Sequence, residues 1–180
     1  RRSLDAGARG VIVPMVNSAD EAKAAIREAK YPPRGVRSFG YCRANAHGAG
    51  FETYTAEADD GIAMVMQVEH KDAIADIDNI LAVEGVDGVF IGPLDLSGSM
   101  GITGQMQHPD MVAALKRYRE ASRAHGMAFS MHIVRPDETN VREAIAEGYT
   151  MIALGLDNVF LHNAASAALR LAGSSRVQQS

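Results

Sequence analysis

Two carboxylates, Glu69 and Asp95, close strongly apolar, strand-like runs: Met64-Val65-Met66-Gln67-Val68-Glu69 and Gly88-Val89-Phe90-Ile91-Gly92-Pro93-Leu94-Asp95. One strand-helix-strand step separates them. A parallel sheet would therefore set both acids at one rim, where hard oxygen ligands can hold a divalent metal. Adjacent parallel strands run about 5 Å apart, close enough for two strand-end acids to share one ion. An all-oxygen site with room for water suits Mg²⁺ or Mn²⁺ better than a soft metal, with Co²⁺ a third candidate. Spacing alone leaves an equal alternative, in which each acid only caps a helix or pairs with a base. The flanks tilt the balance. Gly92 to Gly98 is a strand end leading into a small-residue turn whose free backbone N–H groups can grip a carboxylate beside the metal. Gln67 precedes Glu69 by two residues, so a strand points both side chains to one face. A buried amide there needs a partner: a substrate oxygen, or a structural hydrogen bond within the barrel.

The elements that must carry these groups alternate regularly. Strand patterns cover Val11 to Val16, Ile62 to Glu69, Val86 to Ile91, Met127 to Val134 and Tyr149 to Leu156. Helix patterns cover Ser18 to Lys30, Lys71 to Val83, Pro109 to His125, Asp137 to Glu147 and Val159 to Ala172. Ser18-x-x-Glu21 reads as a capping box, and Pro109-Asp110 opens another helix. Alternation of this kind implies right-handed βαβ units and a parallel sheet. No Gly-x-Gly-x-x-Gly turn follows the first strand and no Walker-type loop occurs, which counts against an open nucleotide-binding sheet. Polar residues at several strand ends (Asn17, Gln67, Glu69, Asp95, His132, Asp157) favour a (β/α)8 barrel instead. Only five units are legible, so the expectation is the C-terminal part of a barrel over residues 1–172, followed by a polar tail over 173–180. The stretch from Tyr31 to Tyr54 breaks the rhythm and reads as a long functional or disordered loop.

Composition excludes several classes. With 47% hydrophobic residues in 180 and a net charge of −4, the chain can bury one core and shows no basic footprint for nucleic acid. No apolar run approaches the roughly 20 residues that span a bilayer. Cys42 is the single cysteine, so no intrachain disulfide forms. A cytoplasmic location is the expectation. The chain opens on Arg1-Arg2-Ser3 rather than a methionine, which suggests a segment of a longer protein.

Several motifs carry a resemblance. Gln67-x-Glu69 followed by Glu84-Gly85-Val86-Asp87-Gly88-Val89-Phe90-Ile91-Gly92-Pro93-Leu94-Asp95-Leu96-Ser97 is similar to the metal-site signature of the HpcH/HpaI aldolase/citrate lyase family. Leu4-Asp5-Ala6-Gly7-Ala8, Val13-Pro14-Met15-Val16, Tyr31-Pro32-Pro33-x-Gly35-x-Arg37, Met100-Gly101-x-x-Gly104 and Gln107-His108-Pro109 extend it over residues 3 to 170. The resemblance implies a (β/α)8 barrel in which Glu69 and Asp95 bind the ion. The ion in turn chelates a pyruvate-like 2-oxo acid, while Gln67 and the backbone at Leu94 and Asp95 hold the substrate's oxygens. The implied reaction is metal-dependent cleavage or formation of the C3–C4 bond of 4-hydroxy-2-oxo acids, by Lewis-acid stabilisation of the developing negative charge. Asp5 falls where the family places an aspartate that orients the base histidine; its alternative is an ordinary surface helix residue. The family resemblance also implies a homo-oligomer, a hexamer by analogy, with the last helix against a neighbour.

The chain departs from the family pattern in one main respect. The family's base histidine and a charge-stabilising arginine lie on earlier barrel units, and none of the six histidines here stands in the right motif. The expectation is that the chain alone neither closes a barrel nor turns over substrate. Ser38 and Leu94 replace residues common in the family, Leu94 beside the pyruvyl group. His132 is a candidate substrate contact or a satisfied polar residue. Arg37 reads as an ion pair to a barrel carboxylate ahead of an anion clamp. His47 reads as a loop or subunit-contact residue ahead of one entering a site, and His70, His108, His125 and His162 as capping or solvated residues. Cys42 reads as inert, and Met64, Met66, Met127 and Met131 as core. Two further functions stay open: a citryl- or malyl-CoA lyase of the same wider family, and an inactive barrel remnant that only binds a ligand or partner.

Overall fold

The computed structural model describes residues 1–177, with side chains through position 173. In chain order the elements are α1 (Arg2–Asp5), β1 (Gly10–Val13), α2 (Ala19–Ala29), a 3-10 segment (Arg43–Gly48), α3 (Phe51–Gly61) and β2 (Ala63–Val68). There follow α4 (Lys71–Ala75), α5 (Ile77–Leu81), β3 (Gly88–Ile91), α6 (Pro93–Ser99), α7 (Pro109–Ala124), β4 (Ala128–Ile133), α8 (Glu138–Ala146), β5 (Met151–Leu154) and α9 (Asp157–Val177). The strands lie in the order β1-β2-β3-β4-β5, the sequence-ordered parallel arrangement of a partial (β/α)8-type barrel. Among the described residues no helix is long and apolar enough to cross a membrane.

The chain divides into two compact units, Arg1–Ser130 and Met131–Ser180, with the division inside β4. In the first unit β1 pairs in parallel with β2 (Val13 opposite Met66), and β2 with β3 (Val68 opposite Ile91). Met64, Met66 and Val68 alternate into the core and are almost fully buried, the period-2 pattern of a strand with one packed face. Strand β3 is buried at every position, as expected where both faces are covered. Tyr118 of α7 reaches between β3 and β4. Its hydroxyl lies 2.8 Å from Val89 O and accepts from Ser130 N–H at 3.0 Å, while Ser130 Oγ donates to Val89 O at 2.8 Å. In the second unit Gly155 N–H, just past β5, donates to Ile133 O of β4 at 2.8 Å. Asp137 caps α8 by accepting from Thr139 and Asn140 N–H at 2.9 Å.

Three features differ from the sequence reading. The single helix expected over Lys71 to Val83 is two, broken at Asp76 (φ −97°, ψ 11°). The Asp76 carboxylate accepts from Ala19 N–H at 2.8 Å, at the start of α2, and from Asn79 Nδ2 at 2.6 Å. These bonds hold its carboxyl below the usual range, the Asn79 bond most and the Ala19 bond next, against a small desolvation effect. Helix α3 lies at the end of what reads as a loop; Phe51, Tyr54 and Ala58, at helical spacing, are its inward residues. The segment before it is ordered by rings: Tyr31 stacks on Phe39 at 4.6 Å, and Phe51 meets Phe39 and Tyr41 edge-on. The capping box is also modified, since Ser18 Oγ accepts from Glu21 N–H while Glu21 reaches one residue further back, to Asn17 N–H. Of the polar tail, the α9 backbone runs through Val177, and positions 178–180 lie outside the described residues.

Candidate active site

Glu69 follows the last residue of β2, and its carboxylate is fixed from two sides. Met15 N–H donates to Oε1 at 2.9 Å and Gln67 Nε2 donates to Oε2 at 2.6 Å. The period of the strand thus sets Gln67 and Glu69 on one face, as their spacing predicts, and the amide of Gln67 is engaged by the acid itself. Glu69 is 5% exposed. A carboxylate accepts about four hydrogen bonds, so each oxygen keeps a lone pair after these contacts.

The β3 end closes on the same carboxylate. Gly92 N–H donates to Val68 O at 3.1 Å, continuing the β2–β3 register one step beyond the strands. Gly92 has to be glycine: a Cβ there would lie 2.6 Å from Glu69 Oε2 and 2.8 Å from Glu69 Cβ. Gly92 is also the N-cap of α6, with Pro93 in its first turn, where a proline's missing N–H costs nothing. Asp95 stands in that first turn, about 4.5 Å from Gly92 along the helix axis by helix geometry. Its side chain is exposed and engaged by no hydrogen bond or ion pair among the described residues. The structure therefore brings Gln67, Glu69, Gly92 and the start of α6 together, with Leu94 59% exposed at the rim. Ser97 steadies the turn, donating to Leu94 O at 2.6 Å and accepting from Gly104 N–H at 2.9 Å.

Whether a cation suits this arrangement can be judged from the donors. Among the described residues no group of three or more His, Cys, Asp or Glu side chains converges. What is present is one buried carboxylate held at both oxygens, with Gly92 packed against it, and the exposed carboxylate of Asp95 three residues further along in the first turn of α6. Such a donor set fits a hard ion that keeps water or substrate oxygens as further ligands.

Asp5 lies in α1, ahead of β1. Its carboxylate accepts from Arg37 Nη2 at 2.9 Å and from Arg1 Nε at 3.2 Å. The Arg37 side chain is fully buried, between the rings of Tyr31 and Tyr54, and its Nε and Nη1 make no hydrogen bond. Burial pushes the Tyr31 phenol up, with Arg37 opposing the shift. Gly35 allows this burial by running against the carbonyls of Arg27 and Lys30, where any Cβ would collide. The arginine is thus an ion-pair partner, as its sequence context suggests. His132 lies in the second unit, where Nε2 donates to Gly155 O at 2.9 Å. His70 and His108 are N-caps, each accepting a backbone N–H at Nδ1. His125 pairs with Asp78. The site residue that sequence reasoning passes over is Met15, because its contribution is a backbone N–H.

The sequence profile of the HpcH/HpaI aldolase/citrate lyase family matches residues 1–164. The chain belongs to this family. HpcH/HpaI relatives include a hydroxypyruvate/pyruvate aldolase of Roseobacter denitrificans, 38% identical over 168 residues, which covers 91% of this chain and 63% of that protein. A 4-hydroxy-2-oxo-heptane-1,7-dioate aldolase of Shigella flexneri is 38% identical over 183 residues, covering 98% of this chain and 66% of that protein. The chain therefore spans just under two thirds of these curated relatives. Among solved structures, an HpcH/HpaI aldolase/citrate lyase family protein of Burkholderia cenocepacia superimposes with a TM-score of 0.86 at 33% identity, covering 95% of this chain and 67% of that one.

Proposed function

We propose that this chain carries the metal-binding and pyruvate-binding half of a metal-dependent aldolase acting on 4-hydroxy-2-oxo acids. The observation that carries the reading is the Glu69 carboxylate, buried yet accepting only from neutral donors, with Gly92 packed against it at the start of the helix that carries the exposed Asp95. A carboxylate with no cationic side chain on it, held out of water, calls for a positive charge. Glu69 and Asp95 would hold Mg²⁺, Mn²⁺ or Co²⁺. When bound, such an ion supplies Lewis-acid polarisation of a 2-oxo group.

The chain's own residues do the remaining work. Glu69 is oriented before any ligand arrives, so no reorganisation is needed when charge develops. Gln67 holds Glu69 with one amide hydrogen and keeps a second for a substrate oxygen. The N–H groups of Leu94 and Asp95 precede the first intrahelical bond of α6, from Leu96 N–H to Gly92 O, and can donate to a carboxylate oxygen. Leu94 provides an apolar wall at the rim. The proton of the aldol hydroxyl needs a base that these residues do not include; the Asp5 carboxylate accepts from Arg37, and His132 Nε2 donates to Gly155 O. Exposed apolar residues on α9, Leu161 and Leu169 among them, support the homo-oligomer of the same reading.

The test is thermal unfolding of the 180-residue chain with Mn²⁺, with and without oxalate as a pyruvate-enolate mimic. Mn²⁺ is expected to raise the melting temperature, oxalate to raise it further, and Glu69→Ala to abolish both increments. A Mn²⁺ increment that persists in Glu69→Ala rejects the site. Ligand-dependent stabilisation by coenzyme A thioesters in place of oxalate would move the reading to a CoA lyase.

A further inference from the structure

Met15 adopts a left-handed backbone conformation, φ 54°, immediately after Pro14 and the end of β1. A side chain with a Cβ rarely takes that conformation, and methionine lacks the short polar group that lets asparagine or aspartate do so. Two other non-glycine residues share it, Ala46 and His47, and both lie within one tight 3-10 segment where His47 N–H closes a turn onto Cys42 O. Met15 closes no such turn. Its N–H instead donates to a side chain 54 positions away, Glu69 Oε1, at 2.9 Å. The next residue returns at once to the sheet, with Val16 N–H donating to Gln67 O at 3.2 Å and its side chain buried. The twist at Met15 is thus confined to one residue. The Met15 side chain is 50% exposed, so packing of that side chain does not explain the conformation. Strain held at one residue and resolved on a buried acid is the pattern of a functional site.

We propose that Met15 is a positioning residue for Glu69: its strained backbone aims an N–H at Oε1 and fixes the carboxylate plane that receives the cation. This rests on the reading of Glu69 as a metal ligand. Gln67 alone would hold only Oε2; with Met15 N–H on Oε1, rotation of the carboxylate about its Cγ–Cδ bond breaks both hydrogen bonds.

The probe is Mn²⁺ binding to the 180-residue chain, followed by electron paramagnetic resonance, with the metal-free melting temperature measured in parallel. Met15→Gly, free to adopt positive φ, is expected to keep the Mn²⁺ dissociation constant within threefold of wild type. Met15→Val, whose branched side chain resists that conformation, is expected to weaken binding about tenfold, by roughly 1.4 kcal/mol. Replacing the Met15 amide by an ester deletes the N–H alone and keeps the side chain. It should weaken binding to the same extent, with the metal-free melting temperature little changed. Wild-type affinity in the ester form overturns the proposal, whatever the folding of Met15→Val. Glu69→Gln serves as the separate control: undiminished Mn²⁺ binding in that variant sinks the metal reading itself, whereas its loss together with an indifferent Met15 ester sinks only the positioning role.

Discussion

Gly92→Ala puts the architecture of the site under the most direct pressure. The added methyl would sit 2.6 Å from Glu69 Oε2, 2.8 Å from Glu69 Cβ and 3.4 Å from Gln67 Nε2. The carboxylate oxygen could swing aside, at the cost of its bond to Gln67. The Glu69 Cβ cannot, because it is attached to backbone at the end of β2. The β2–β3 register must then open locally, breaking the Gly92 N–H to Val68 O bond or lengthening it. Overpacking of this kind costs about 1–3 kcal/mol. For a domain of this size each kcal/mol shifts the melting temperature by roughly 2–4 °C, so Gly92→Ala should lower it by about 2–12 °C. Because the displaced atoms belong to the carboxylate, Mn²⁺ affinity should fall by more than tenfold, a loss that a remote core substitution of equal stability cost would not produce. Circular dichroism melting curves and Mn²⁺ titration on the same samples check both. A Gly92→Ala protein with unchanged melting temperature and unchanged Mn²⁺ affinity would refute the close approach on which the site is built.

Two further outcomes follow from the supporting structure. The Asp76 carboxyl is held below its ordinary range in the folded state. Its stabilising contribution is therefore fully present above the unfolded-state value and is lost as pH falls through the folded-state one. Denaturant unfolding between pH 5 and pH 2 should show Asp76→Asn with a shallower acid-limb decline than wild type, and identical slopes would refute the linkage between α2 and the α4–α5 break. At the Asp5–Arg37 pair the two partners differ in exposure, 28% for the Asp5 side chain and none for that of Arg37. Asp5→Asn leaves a buried guanidinium uncompensated and should cost about 3 kcal/mol, whereas Arg37→Met leaves an acid that water can reach and should cost less than half as much. Urea unfolding of both variants decides it, and the reverse order would contradict the burial argument.

Much of this arrangement can be read from residue types because each signal has a direct physical cause. The strands at Met64 to Val68 and Gly88 to Ile91 are legible because alternation and continuous burial leave different apolar patterns. Gln67 and Glu69 share a face for the same reason. The break at Asp76 is only half legible: Asp76, Asp78 and Asn79 are weak helix formers, but the bond that ties the break to Ala19 reaches 57 positions away. Helix α3 is obscured differently: its inward residues are Phe51, Tyr54 and Ala58, and the aromatic members merge with the ring cluster of the preceding loop. At the site, Gly92 is marked by its residue type, but Met15 is not. A backbone donor leaves no imprint on the identity of the residue that carries it.

Tyr118 joins β3 to β4 through oxygen atoms, with Ser130 N–H captured by a hydroxyl from α7 in place of a neighbouring strand. That amide proton is consequently a sentinel for the helix. Its deuterium uptake reports how often α7 lifts away from the sheet, and does so independently of any fraying at the strand margins.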